Sequence, residues 1–400
     1  MIVTERSRAR QQALVDARAR HATARVPSDG RGPRPPIGRR TGLFLMLFSS
    51  VISLVLLGLV MTLSATAAPS LSGTNSAWSL FKNQAMWLGV GVVTLLVLLR
   101  IDYHHWKRLA PMGLGVSLVL LALTAIPSVG LSANGARRWL GVGSVVFQPS
   151  ELAKVALVVF VADLLSRPDR HIEDTRSTLQ PVLVVTATMS ALLMLQPHLG
   201  AAVLVAGVAL TMLYFAGARI VHLVAVTAAA AAMTALLILT SPWRRARMLG
   251  FLDPWADPYG NGYQTLKSLH AMASGGLGGL GLGAGRAKWG FLPYAHTDFI
   301  FAVIGEELGM IGSLLVVILF VVMAAAGLGV ALRAPDRFGM LLAVGVTTWI
   351  ILQAVINMGA GLALLPVVGI TLPLLSFGGT SLVATLAAVG VLLNVARQIR

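Results

Sequence analysis

The fold class this sequence predicts is all-α: a polytopic membrane protein of about ten transmembrane helices. Three observations support it. First, 56% of the 400 residues are hydrophobic and only 12% charged, with a mean hydropathy of +0.81, whereas about a quarter of the residues in a soluble domain carry charge. Second, apolar runs of about 20 residues, the length that crosses a bilayer as a helix, recur along the chain. Third, most of the 31 Lys and Arg residues fall between alternate runs, as short cytoplasmic connections require.

Ten Arg, together with Pro27, Pro33, Pro35 and Pro36, lie within the first 40 residues. That composition predicts a disordered basic tail, 1–42, on the anionic cytoplasmic leaflet. The net charge of +16 is thereby assigned to membrane orientation and not to nucleic acid. The first run, 43–66, begins late and is long enough to remain as a span, so no cleavable signal peptide is expected. Runs 80–99 and 109–127 follow, joined by a connection that holds Arg100, His104, His105, Lys107 and Arg108 and is placed inside.

The next connection, 128–148, carries Arg137 and Arg138 and leads into run 149–166. There Glu151 and Lys154, three residues apart, share one helical face and can pair, and Ser150 is placed to cap the helix. Two roles are open to the pair: holding helix geometry as a buried ion pair, or touching substrate directly. Runs 179–195 and 199–216 are divided only by Gln196-Pro197-His198, a break whose backbone must line protein or a water-filled cavity. His198 reads as a hydrogen-bonding residue whose imidazole gains charge in mildly acidic conditions. Run 220–240 comes next.

The stretch 241–297 is too long for a simple connector. Its Trp243, Phe251, Trp255, Tyr259, Tyr263 and Trp289 argue against disorder, and 262–269 has the character of a short interfacial helix. The glycine tract 275–285 is not a dinucleotide fingerprint, because no strand precedes it; it reads as flexible backbone approaching a ligand or the bilayer closely. Arg286 and Lys288 follow. Asp298 then stands where this loop meets run 299–330, a depth at which an unpaired carboxylate needs a reason. Glu306 and Glu307 lie about two turns deeper, and one of them is expected to face the same cavity. Runs 338–364 and 373–396 complete the set.

With both termini inside, every outward-facing cation except Lys82 falls in 128–148 or 241–297. Clustered cations on the wrong side of a membrane suggest an anionic ligand, or more simply attraction to lipid headgroups. Cations beside one carboxylate suit a reaction with an anionic leaving group and a single proton to remove. Cysteine is absent, so disulfides and thiolate chemistry do not enter. No spacing of His and carboxylates makes a zinc site.

Ordered motifs along the chain resemble the SEDS family (shape, elongation, division and sporulation). They are NGARRW at 134–139, FQPSELAK at 147–154, QPHLG at 196–200, FLDPWADPYGNGYQ at 251–264, GLGAGRAKWGFLPYAHTDFIFAVIGEELG at 281–309, INMG at 356–359 and LLPVVGITLPLLSFGGTS at 364–381. The resemblance implies that 43–400 is a membrane domain acting as an inverting peptidoglycan glycosyltransferase in cell division, polymerising lipid II at the outer face of the cytoplasmic membrane. Asp298 matches the family's catalytic aspartate, expected to serve as general base. Arg137, Arg138, Arg247, Arg286 and Lys288, with Glu151 and Lys154, are the expected substrate-binding residues, the first five at the pyrophosphate. His198, His296, Glu306 and Glu307 are expected in the cavity or supporting it. The implied partners are a cognate class B penicillin-binding protein, other division proteins and membrane lipids, and the implied helper is a divalent cation, Mg or Mn. Two positions depart from the family pattern: His198 stands where the family has Asp, and Tyr294 where it often has Glu. A flippase of lipid-linked precursors and a catalytically inactive division scaffold are the alternative readings.

Overall fold

A computed structural model describes residues 42–67, 77–133, 136–142, 145–168 and 178–399. The expected basic tail, up to residue 41, lies outside the described residues. Ten helices occupy the ten predicted runs: α1 Gly42–Ala67, α2 Ala77–Arg100, α3 His105–Ala125, α4 Pro149–Ser166, α5 Gln180–Leu195, α6 Leu199–Ala216, α7 Ile220–Thr240, α10 Ile300–Leu332, α11 Arg337–Gly361 and α12 Gly379–Arg397. Two further helices, α8 Pro242–Leu252 and α9 Tyr263–Gly275, lie in the long connection between α7 and α10. Among the described residues, eight helices are long and apolar enough to cross a membrane. The two runs outside that set are α4, which carries Glu151, Lys154 and Asp163, and α5, which has 16 residues.

The structure differs from expectation in several places. The last run was expected from residue 373, yet 362–378 is not helical and α12 begins at Gly379. Pro366 and Pro373 remove backbone donors, and Gly369 takes a left-handed φ of +69°. A small antiparallel sheet, β1 Leu131–Ala133, β2 Ala136–Val142 and β3 Val145–Phe147, ordered β1-β2-β3, fills the connection before α4. The Asn134-Gly135 dipeptide between β1 and β2 is a strong hairpin signal in any sequence. Ser150 does not cap α4; Gln148 occupies the cap position with Pro149 behind it, and the Ser150 hydroxyl is buried without a partner.

The glycine tract also differs, and helix α10 explains why. This helix breaks at Gly309 (φ 67°, ψ −164°), and backbone 276–281 runs into the break. Leu280 N and Gly281 N donate to the carbonyls of Glu306 and Glu307 (both 3.0 Å), while Met310 N and Ile311 N donate to those of Gly276 (2.9 Å) and Leu277 (3.2 Å). A β-carbon at Gly279 would collide with the Glu307 carbonyl oxygen, and one at Gly275 with that of Gly305. The tract therefore approaches the backbone of α10 closely, and it satisfies the polar groups that a broken membrane helix exposes. The expected interfacial helix at 262–269 is the first part of α9.

Helices α2 and α12 pack together, as do α1 and α10, α3 and α4, and α10 and α11. Trp349, Phe299, Phe301 and Phe338 are fully enclosed among them. This core fixes the start of α10 against α11 and the 362–378 loop, where the candidate chemistry lies.

Candidate functional site

Asp298 precedes α10 by two residues. The carbonyl of Tyr294, whose φ of 60° is left-handed, accepts the backbone N–H of Thr297, Asp298 and Phe299 (3.1, 3.1 and 3.3 Å). Asn357 Nδ2 on α11 donates to the carbonyls of Asp298 (2.8 Å) and Ile370 (2.7 Å). Ser376 Oγ donates to the Thr297 carbonyl (2.6 Å) and accepts from Leu372 N (2.8 Å). Phe377 N donates to the His296 carbonyl (2.9 Å), and the two rings meet edge-on at 5.8 Å. Residues 296–298 are thus stitched to 370–377 through their main-chain carbonyls, which leaves the Asp298 carboxyl free to react.

That carboxyl is partly buried. Burial raises its pKa to about 6, against the opposing pull of Arg138 and Arg247. Arg138 comes from β2, where Nε and Nη2 donate to the carbonyls of Gln196 (3.3 Å) and Pro197 (2.5 Å), bracing the break between α5 and α6. Gly369 lies between base and cation: a β-carbon there would be 3.5 Å from Arg138 Nη1 and 3.7 Å from Asp298 Oδ2. Arg247, on α8 with its guanidinium 5.8 Å from the Trp243 ring, lines a cleft with Arg138, Arg244, Leu199 and Val368. Arg137 is not part of this group. Successive strand residues face opposite ways, and its side chain is exposed.

Behind this cleft, Glu151 and Lys154 pair as their spacing predicts, at 2.9 Å and almost fully buried. Lys154 Nζ also donates to Gln353 Oε1 (2.8 Å), which accepts in addition from Trp349 Nε1 (2.8 Å). Gln353 Nε2 reaches the Thr371 carbonyl (2.9 Å). The pair supports the 362–378 loop through Gln353. His198 is buried, and its pKa is pushed well below 6.5 by burial and by the nearby Arg138 and Lys154. The expectation that it charges in mildly acidic conditions is therefore corrected. Burial lowers the pKa of His296 as well.

The remaining residues part company with the base. Lys288 Nζ is buried and bonded to Glu307 Oε1 (2.7 Å) and Ser64 Oγ (3.0 Å), and Glu307 also accepts from Gly283 N (3.1 Å). An ammonium committed to a buried carboxylate is not available to a pyrophosphate. Glu306 accepts from the N–H groups of Arg286 (2.8 Å) and Ala287 (3.0 Å). Both acids anchor the loop to α10 and neither lines the cleft beside Arg138 and Arg247, while Arg286 lines a different one. Among the described residues, no group of three or more His, Asp or Glu side chains stands together as metal ligands.

Sequence reasoning gave no role to Asn357 or Ser376, which lie in the motifs at 356–359 and 364–381, and passed over Gln353. Gln353 and Asn357 stand four residues apart inside an otherwise apolar run, the kind of intramembrane polar pair that signals a shared task.

Comparison with known proteins shows the family. The chain is 40% identical over 362 residues to stage V sporulation protein E of Bacillus subtilis, covering 90% of this chain and 99% of the relative. It is 39% identical over 362 residues to the probable peptidoglycan glycosyltransferase FtsW of Mycobacterium tuberculosis, covering 90% of this chain and 69% of that one. Two solved structures are similar. One is described as the structural coordination of polymerization and crosslinking by a peptidoglycan synthase complex (TM-score 0.72, 33% identity, 88% of this chain and 96% of the other). The second is the rod shape determining protein RodA of Thermus thermophilus (TM-score 0.65, 31% identity, 88% and 95%). Residues 44–400 match the family described as cell cycle proteins, of FtsW, RodA and SpoVE, and on that match the chain belongs to this family of multi-pass membrane proteins.

Proposed function

We propose that this chain is a peptidoglycan glycosyltransferase that polymerises lipid II at the outer face of the cytoplasmic membrane in cell division, with both termini inside. The observation that carries the reading is one carboxyl of raised pKa, Asp298, beside two cations, Arg138 and Arg247, at the end of a membrane helix. In the reaction the acceptor sugar's 4-hydroxyl oxygen forms a bond to the donor's anomeric carbon. The bond from that carbon to the pyrophosphate oxygen breaks, and the electron pair leaves with the pyrophosphate. The hydroxyl proton passes to Asp298, a general base well matched to near-neutral pH. Arg138 and Arg247 stabilise the departing charge, so no separate acid is needed.

With an imidazole of lowered pKa at 198 in place of an aspartate, Arg138 is less compensated, which favours an anionic leaving group. The Tyr294 side chain is exposed and its backbone does the orienting, so that departure leaves the base in place. The similarity to a solved peptidoglycan synthase complex supports a class B penicillin-binding protein as partner. Purified protein with such a partner and lipid II in vesicles tests the reading: glycan polymer is expected, and translocated lipid without polymer, or neither product, would overturn it.

A further inference from the structure

Lys267 and His270 on α9, with Arg286, line a second cleft of about 620 Å³ that shares no lining residue with the one beside Arg138 and Arg247. Leu280, Phe291 and Leu292 supply apolar wall. Glu306, the acid in this cleft, is already engaged by two backbone N–H groups. Among the described residues, the Arg286 guanidinium and the His270 ring have no hydrogen-bond or ion-pair partner, and Lys267 faces only the Tyr263 ring at 5.4 Å. The wall is preformed, since Leu280 and Gly281 are bonded to the broken backbone of α10. Cations without an acid partner, in a cleft with apolar sides, match an amphiphile that ends in phosphate.

We propose that this second cleft binds the phosphate of a membrane-anchored amphiphile. Two sources share that chemistry: the pyrophosphate that the acceptor chain retains, and the headgroup of an anionic phospholipid. The first source rests on the glycosyltransferase reading. Joining two lipid-linked sugars brings two pyrophosphates together and releases one, so Arg138 and Arg247 at the base serve the leaving group and the retained group needs cations of its own.

The test uses the full chain in detergent, carrying Asp298→Asn so that nothing turns over, and titrates a short-chain polyprenyl pyrophosphate by calorimetry. Two equivalents are expected to bind; Lys267→Gln with Arg286→Gln should weaken one of them at least about tenfold and leave the other, while Lys267→Arg with Arg286→Lys should retain both. Displacement of the sensitive equivalent by phosphatidylglycerol assigns the cleft to phospholipid headgroups, and resistance to it assigns the cleft to the pyrophosphate-bearing chain; either supports the site. A single equivalent in the parent, or two undiminished equivalents in the glutamine variant, would overturn it. Binding is read without catalysis, so a failed polymerisation assay leaves this result independent.

Discussion

At the scale of single residues, Asp298 carries the account. A base works only when deprotonated, so polymerisation should rise through about pH 6 and level off above it. The same shift has a stability consequence. Folding favours the neutral carboxyl, so its stabilising contribution is present below the ordinary value of 3.8 and is lost as pH rises through about 6. Asp298→Asn should therefore melt at a higher temperature than the parent at pH 7.5 and at an equal one near pH 3.5, as thermal unfolding in detergent would read. Burial, with Arg138 and Lys154 nearby, pushes the His198 imidazole well below its ordinary value, so His198→Asn should leave the midpoint of the pH–rate profile where it is. A displaced midpoint would restore the imidazole as a titrating group. The importance of Asp298 was legible because an acid at the edge of an apolar run costs too much to be idle. Which cations serve it was not, since a strand absent from the sequence reading decides that Arg138 faces the cleft and Arg137 does not.

Elements position these residues through backbone more than through side chains. The entry of 276–281 into broken α10 predicts a graded glycine series. Gly281→Ala meets open space and suffers only from its left-handed φ, about 1 kcal/mol, whereas Gly279→Ala adds a collision with the Glu307 carbonyl and should cost more. Equal losses in the two variants, measured by thermal unfolding, would argue against the inserted loop. For α4, Lys154→Met strands the buried Glu151 carboxylate, a loss of about 3–5 kcal/mol that Glu151→Leu in the same chain should partly restore. The pair was legible from a spacing of three. Its link through Gln353 to the 362–378 loop was not, because that contact spans nearly half the chain.

For the whole molecule, the apolar runs and the distribution of cations were enough to place ten helices, eight of them long and apolar enough to cross a membrane, since bilayer thickness and loop charge act on the sequence directly. The end of α11 and the start of α12 escaped that reading because hydropathy does not register where Pro366, Gly369 and Pro373 interrupt a helix within an apolar stretch. The interruption matters to function: the non-helical segment it creates holds residues 296–298 from one side while Arg138 and Arg247 approach from another. The most direct measurement of this arrangement is lipid II polymerisation by Asp298→Asn in complex with its partner. The substitution preserves shape and removes the basic oxygen. Polymer formation should fall by about 10²–10⁴-fold with assembly intact, and polymer yield near that of the parent would contradict the assignment of Asp298 as the base.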